Sequence, residues 1–260
     1  QYAEAEALAD SLWKQLGKES PNPGYGLTTA AQSAEAMCAG MLEGYAALRE
    51  LDPAHPVWMN HAPRNTINQL AAFNQAADIV GCDIYPVPRS AHNGHSDLLD
   101  QSVASVGAYT VRMQDAAPGK PVWMVLQAFG WDDLNENPPQ EEAKKQPRPN
   151  LKETRFMAYD AIVRGARGIL YWGSAYIEKD SQLWDDLLSV TSDLHDIANV
   201  LAAEDAQLPI YVNCHEAMGS MERTVHVLPK NVDGKVWLLA VNEECIPIRY
   251  DMAGLDELNG

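Results

Sequence analysis

An α/β fold built on a parallel sheet is what the sequence predicts, and three observations carry that reading. Strand-like and helix-like segments alternate along most of the chain; that order implies parallel strands joined by helical crossovers. Four strand segments are nearly continuous runs of apolar residues, as strands covered on both faces by helices require. No GxGxxG or GxxxxGK[ST] turn occurs, so a phosphate-binding doubly wound sheet is disfavoured. The strands end instead in polar or aromatic residues, the place where a (β/α)8 barrel builds its site. The barrel is therefore the preferred architecture.

Taken in order, residues 3–16 carry apolar side chains at helical spacing, and the Pro21–Gly24 turn follows. Tyr25–Thr28 reads as a short strand and residues 33–50 as a helix ended by Asp52-Pro53. The four apolar strands are 56–60, 78–85, 121–127 and 168–172. Helical patterns fall between them at about 64–76, 97–116 and 151–164, and another runs from Asp180 or Ser181 to about Leu201. Asn150 with Glu153 three residues on forms a capping-box start. After Ala206 the texture changes. Segments 208–212, 224–228 and 235–242 are strand-like, and Asp233-Gly234 signals a hairpin turn. This divides the chain into a barrel portion, residues 1–205, and a β-sandwich-like segment, residues 206–260, too short to be a complete sandwich.

The chain has 260 residues and a formal charge of −17, from 19 Lys+Arg against 36 Asp+Glu. So acidic a surface repels phosphate backbones and anionic lipid, which argues against nucleic-acid and membrane partners. No apolar run approaches the roughly 18 residues of a spanning helix. Residues 1–16 lack the basic and apolar regions of a signal peptide, and the chain starts without Met, which reads as a mature or partial product. Cys38, Cys82, Cys214 and Cys245 show no CxxC spacing; buried free thiols and a Cys214–Cys245 bridge both stay open. No metal site or cofactor is expected: His92 and His95 lie in a loop, and Asp132, Asp133 and Glu136 lack EF-hand spacing. There is also no GxSxG elbow.

Several segments, in this order, resemble a known group: Leu51–Val57, Ala77–Val87, Lys120–Phe129, Glu153–Ile162 and Gly165–Trp172. They are similar to the second half of a glycoside-hydrolase TIM barrel of the β-galactosidase and β-mannanase superfamily of retaining glycosidases, over about residues 24–205. The resemblance implies that Tyr25–Thr28 and the four apolar segments are barrel strands 4 to 8. Strands 1–3 would then be absent from this chain, and the missing N-terminal part of the barrel becomes an expected partner. It also implies a carbohydrate substrate and a secreted or periplasmic setting.

Such enzymes use two carboxylates about 5–5.5 Å apart, carried at the ends of strands 4 and 7. Here those ends read Leu27-Thr28-Thr29-Ala30-Ala31 and Gln127, so the pair does not transfer residue by residue. Asp83 is the best remaining carboxylate. It lies in an apolar strand on the same side as Tyr85, where it is placed to act as a general acid. Asp132, after the next strand, is the second candidate; Glu178 and Asp180 are weaker, and Asp180 suits a helix cap. Candidate substrate-binding residues are Asn60 and His61 at one strand end, Tyr85, Gln127, and the aromatic platforms Trp131 and Trp172. The Pro-, Glu-, Gln- and Lys-rich stretch 135–150 fits either a substrate wall or a solvated insertion. Two functions follow: hydrolysis of a neutral oligo- or polysaccharide, or a non-catalytic carbohydrate-binding relative.

Overall fold

A computed structural model describes residues 30–62, 65–89, 102–137, 139, 146–215, 223–244 and 246–255. The expected helix at 3–16, the Tyr25–Thr28 strand, His92, His95 and Cys245 lie outside the described residues. The chain separates into two units, Gln1–Val57 and Trp58–Gly260. In the first, α1 spans Ala30–Leu51, and Arg49 and Asp52 tie down the turn that follows: Arg49 donates to the His55 carbonyl at 3.1 Å, and His55 Nδ1 lies 2.8 Å from Asp52.

The second unit is built on four parallel strands, β1 Trp58–His61, β2 Ile79–Ile84, β3 Trp123–Gln127 and β4 Gly168–Trp172, lying side by side in sequence order. They are linked by α2 Ile67–Phe73, α3 Ser105–Ala116 and α4 Leu151–Val163; α5 Gln182–Asp196 and the short α6 Ala198–Leu201 follow. The capping box of α4 forms as its sequence predicts, with Asn150 accepting from the Lys152 and Glu153 amides. Ser181, not Asp180, caps α5 by accepting from the Trp184 amide.

Strand order decides which face the helices cover. Right-handed crossovers between strands added always on the same side put every helix on one face; helices on both faces need a reversal of order. Here the order never reverses. Val80, Cys82 and Ile84 of β2 and Met124 and Leu126 of β3 pack against Leu70, Val106, Met113, Met157, Ala161 and Val190 from α2 to α5. The expected helical cover on both faces is thus corrected: among the described elements of this unit, the helices line one face. The other carries Trp58, Asn60, Gly81, Asp83, Trp123, Val125, Gln127, Leu170 and Trp172. Periodicity misses this because an apolar inner face and a helix-covered face give the same continuous run.

Close packing on the inner face explains two glycines. A Cβ on Gly81 would overlap the Trp123 carbonyl, and one on Gly168 would stand 2.6 Å from the Trp123 indole. Those gaps admit the Trp58 and Trp123 rings, whose centroids are 6.4 Å apart. Gly81→Ala is expected to destabilise the protein more than Gly168→Ala, since the first obstruction is rigid backbone and the second a side chain. About 1–3 kcal/mol is the usual cost of overpacking. Urea midpoints of the two variants check the order.

After α6 the chain turns antiparallel. β6 Val225–Val232 and β7 Lys235–Asn242 form a hairpin in full register, turned by Asp233 and Gly234 at φ 50° and 75°. β5 Tyr211–Cys214 pairs with β8 Tyr250–Ala253. The first C-terminal strand is displaced from the expected 208–212. Cys38, Cys82 and Cys214 are free thiols, and Cys214 Sγ lies 3.0 Å from the Thr224 hydroxyl. Among the described residues no helix is long and apolar enough to cross a membrane.

Candidate functional site

Alternation of side chains along each strand assembles a polar and aromatic cluster at the C-terminal end of the inner face. Asp83, buried at 7 % exposure, sits opposite Val125 in the β2–β3 register. Asn60, at an exposed position of edge strand β1, donates its amide to Asp83 at 3.0 Å. Tyr85 follows two residues after Asp83, and its hydroxyl is hydrogen-bonded to the same carboxylate. Burial, with the Asp83 charge beside it, pushes the Tyr85 phenol well above its ordinary pKa. Tyr85 therefore stays protonated and donates. Two neutral donors converging on one carboxylate hold it in a fixed orientation.

Aromatic rings continue the cluster outward. Tyr85 stacks on Trp172 at a centroid distance of 5.6 Å and an interplanar angle of 25°. Phe129, fully buried, meets Tyr85, Trp131 and Trp172 edge-on, each at 5.1 Å. Tyr176, in the segment after β4, lies 5.8 Å from Trp172. Trp172 is 42 % exposed and Tyr176 56 %, so a buried aromatic base carries two outward-facing rings.

A charged clasp fixes the rim. Arg148 bonds Asp133 through two nitrogens, Nη2 to Oδ1 at 2.6 Å and Nε to Oδ2 at 2.9 Å, and reaches Glu178 at 2.8 Å. Asp133 also accepts from the Gly130 amide at 2.6 Å, and Asp132 from the Gln146 amide at 2.5 Å. The described ends of the 135–150 stretch are thus joined to the 3-10 turn Trp131–Leu134, and Arg148 joins that turn to the segment after β4.

Asn60, Asp83, Tyr85, Trp131 and Trp172 come together as the sequence suggests. Three other expected residues are placed elsewhere or engaged. Gln127 has no exposed surface: it accepts from the Val87 amide at 2.9 Å and donates to the Val87 and Phe129 carbonyls at 2.7 and 3.0 Å. Its amide braces backbone, because a buried amide must be satisfied and the loop after β2 supplies the partners. His61 points to the helix side. It donates from Nε2 to the Asn74 amide oxygen at 2.7 Å and packs near Phe73; burial lowers its pKa and holds the imidazole neutral. Asp132 is committed to the loop amide of Gln146. Sequence reasoning passed over Phe129, Tyr176 and Arg148. The opposite charges of Asp133 and Arg148, bracketing a polar insertion, were the available signal for the clasp.

No group of three or more His, Cys, Asp or Glu placed to hold a metal ion occurs among the described residues. No protein-family model matches the chain, and no curated protein matches it. Among solved structures, the chain is similar to the polyextremophilic β-galactosidase of the Antarctic haloarchaeon Halorubrum lacusprofundi, at 18 % identity and a TM-score of 0.49. The match covers 74 % of this chain and 30 % of that one, so this chain spans under a third of the length of the protein it matches.

Proposed function

We propose that the chain is part of a (β/α)8 barrel of the glycoside-hydrolase kind, and that the C-terminal end of its inner face binds a neutral oligo- or polysaccharide. The observation that carries this reading is the pair of exposed rings, Trp172 and Tyr176, beside a carboxylate oriented by Asn60 and Tyr85. The apolar C–H face of a pyranose packs on an aromatic ring, and burial of that face contributes roughly 25 cal/mol per Å². Asp83 and Asn60 supply the polar contacts that vicinal hydroxyls need.

Sheet order supports the barrel. Four parallel strands in unbroken sequence, with the described helices on one face, make half of an eight-stranded circuit, and further strands adding at the β1 and β4 edges complete it. The completing strands are the expected partner of this chain. Hydrolysis requires a second carboxylate facing Asp83; Asp132 and Asp133 are held by Gln146 and Arg148. In the catalytic reading, the remainder of the barrel supplies that group. The engagement of both loop carboxylates favours a second reading, a carbohydrate-binding relative without turnover.

A chromogenic glycoside panel separates the two. If the site is catalytic, Asp83→Asn lowers kcat/KM at least 100-fold on whichever glycoside turns over, and Asp132→Asn changes it less than tenfold. Binding of the panel without turnover supports the second reading. Turnover unchanged in Asp83→Asn removes Asp83 from the chemistry.

A further inference from the structure

Away from the aromatic cluster, α4 and the β6–β7 hairpin meet over a buried group of charges. Asp160 of α4 has no exposed surface, and Glu243, immediately after β7, is 6 % exposed. Asp160 Oδ2 accepts from the Gly107 amide of α3 at 2.7 Å. Glu243 Oε2 lies 3.1 Å from His226 Nε2 on β6. Arg164, at the end of α4, places Nη1 2.7 Å from His226 Nδ1. The same Nη1 lies 2.8 Å from His226 Nε2, so His226 stands between Arg164 and Glu243.

One oxygen of each acid then accepts no hydrogen bond. Asp160 Oδ1 and Glu243 Oε1 are both buried and receive no N–H or O–H donor. Arg164 Nε forms an ion pair with Glu243 Oε1 at 3.6 Å, too long for a hydrogen bond. The two side chains are within hydrogen-bonding reach of each other, and two acids hydrogen-bond only if a proton lies between them. We propose that Asp160 and Glu243 share one proton, and that this acid pair is a pH-sensitive latch fastening the β6–β7 hairpin to α4.

The groups that face the pair come from four elements. α4 contributes Asp160 and Arg164, β6 contributes His226, the end of β7 contributes Glu243, and α3 contributes the Gly107 N–H. Burial, and next the Glu243 charge, push Asp160 up to about 8. A carboxyl whose pKa is raised by folding stabilises the fold fully below its unfolded value, and that contribution is lost as pH rises through the folded value. The latch therefore weakens between about pH 4 and pH 8.

A second fastening of the same hairpin responds in the opposite direction. Buried Lys230 of β6 lies 2.8 Å from Asp205, which also pairs with Arg167 at 2.6 Å. Burial opposes ionisation of Asp205, but its hydrogen bonds from Arg167 and Lys230 prevail and hold its pKa below the usual carboxylate range. Its contribution is present above the unfolded value and is lost as pH falls through the lowered one. The hairpin is gripped most firmly at mildly acidic pH.

Thermal unfolding of the full chain from pH 4 to pH 9.5, for wild type, Asp160→Asn and Glu243→Gln, tests the latch. The melting temperature of Asp160→Asn relative to wild type is expected to rise from pH 4 to pH 8 and level off above. Parallel curves would overturn the proposal. Hydrogen exchange, corrected for intrinsic rates, is expected to be at least tenfold faster for β6–β7 amides at pH 8.5 than at pH 5.5 in wild type, with β2 and β3 unchanged; a uniform change contradicts a hairpin latch. Should either variant fail to fold, wild type still decides. Its infrared spectrum is expected to show a protonated-carboxyl band at pH 6.5 that disappears by pH 9.5, and the absence of that band at pH 6.5 rejects the shared proton.

Discussion

Phe129→Ala is expected to lose about 3–5 kcal/mol of stability, the range for removing a fully buried aromatic side chain. Phe129 has no exposed surface, and Tyr85, Trp131 and Trp172 all rest on it edge-on. Three edge-to-face contacts each add about 0.5–1.5 kcal/mol beyond area burial, so the loss falls at the upper end of the range. The same substitution loosens Trp172 and the Tyr85 ring whose hydroxyl orients Asp83. Denaturant midpoints at unchanged slope measure the effect. A loss under 1 kcal/mol would mean that Phe129 is not the base of the cluster.

Trp172→Ala has a different balance. The ring is 42 % exposed, and losing its contacts with Tyr85 and Phe129 costs about 1–3 kcal/mol, less than Phe129→Ala. Carbohydrate affinity is expected to fall at least tenfold, equivalent to about 1.4 kcal/mol. The two substitutions thus separate the buried support from the recognition surface: Phe129→Ala costs more stability, and Trp172→Ala costs binding out of proportion to its stability loss.

Much of the sheet was legible in the sequence. Gly168–Trp172 and Lys235–Asn242 form with the expected bounds, because each is a dense β-branched and aromatic run set off by a turn. The cap at Asn150 and the turn at Asp233-Gly234 were readable for a similar reason, since their geometry depends on local side chains. The direction in which a strand-end side chain faces was only half legible. Alternation puts Asp83 and Tyr85 on one side, yet it does not say which side the helices take, and it placed His61 at the site although its ring turns toward Phe73 and Asn74. Gln127 shows a different limit. Its amide is satisfied by Val87, 40 residues away in sequence, a tertiary partner that no local pattern announces. The Asp160–Glu243 pair is of the same kind, because its members come together only when the hairpin docks on α4.

Calorimetric titration of the wild-type chain and Trp172→Ala with a panel of soluble neutral oligosaccharides tests the central claim most directly, with Leu188→Ala, an exposed position on α5, as control. The account predicts that at least one member binds wild type and Leu188→Ala equally and binds Trp172→Ala at least tenfold more weakly. Equal affinity for Trp172→Ala and wild type, or no binding by any member of the panel, would contradict a carbohydrate site at the C-terminal end of the inner face.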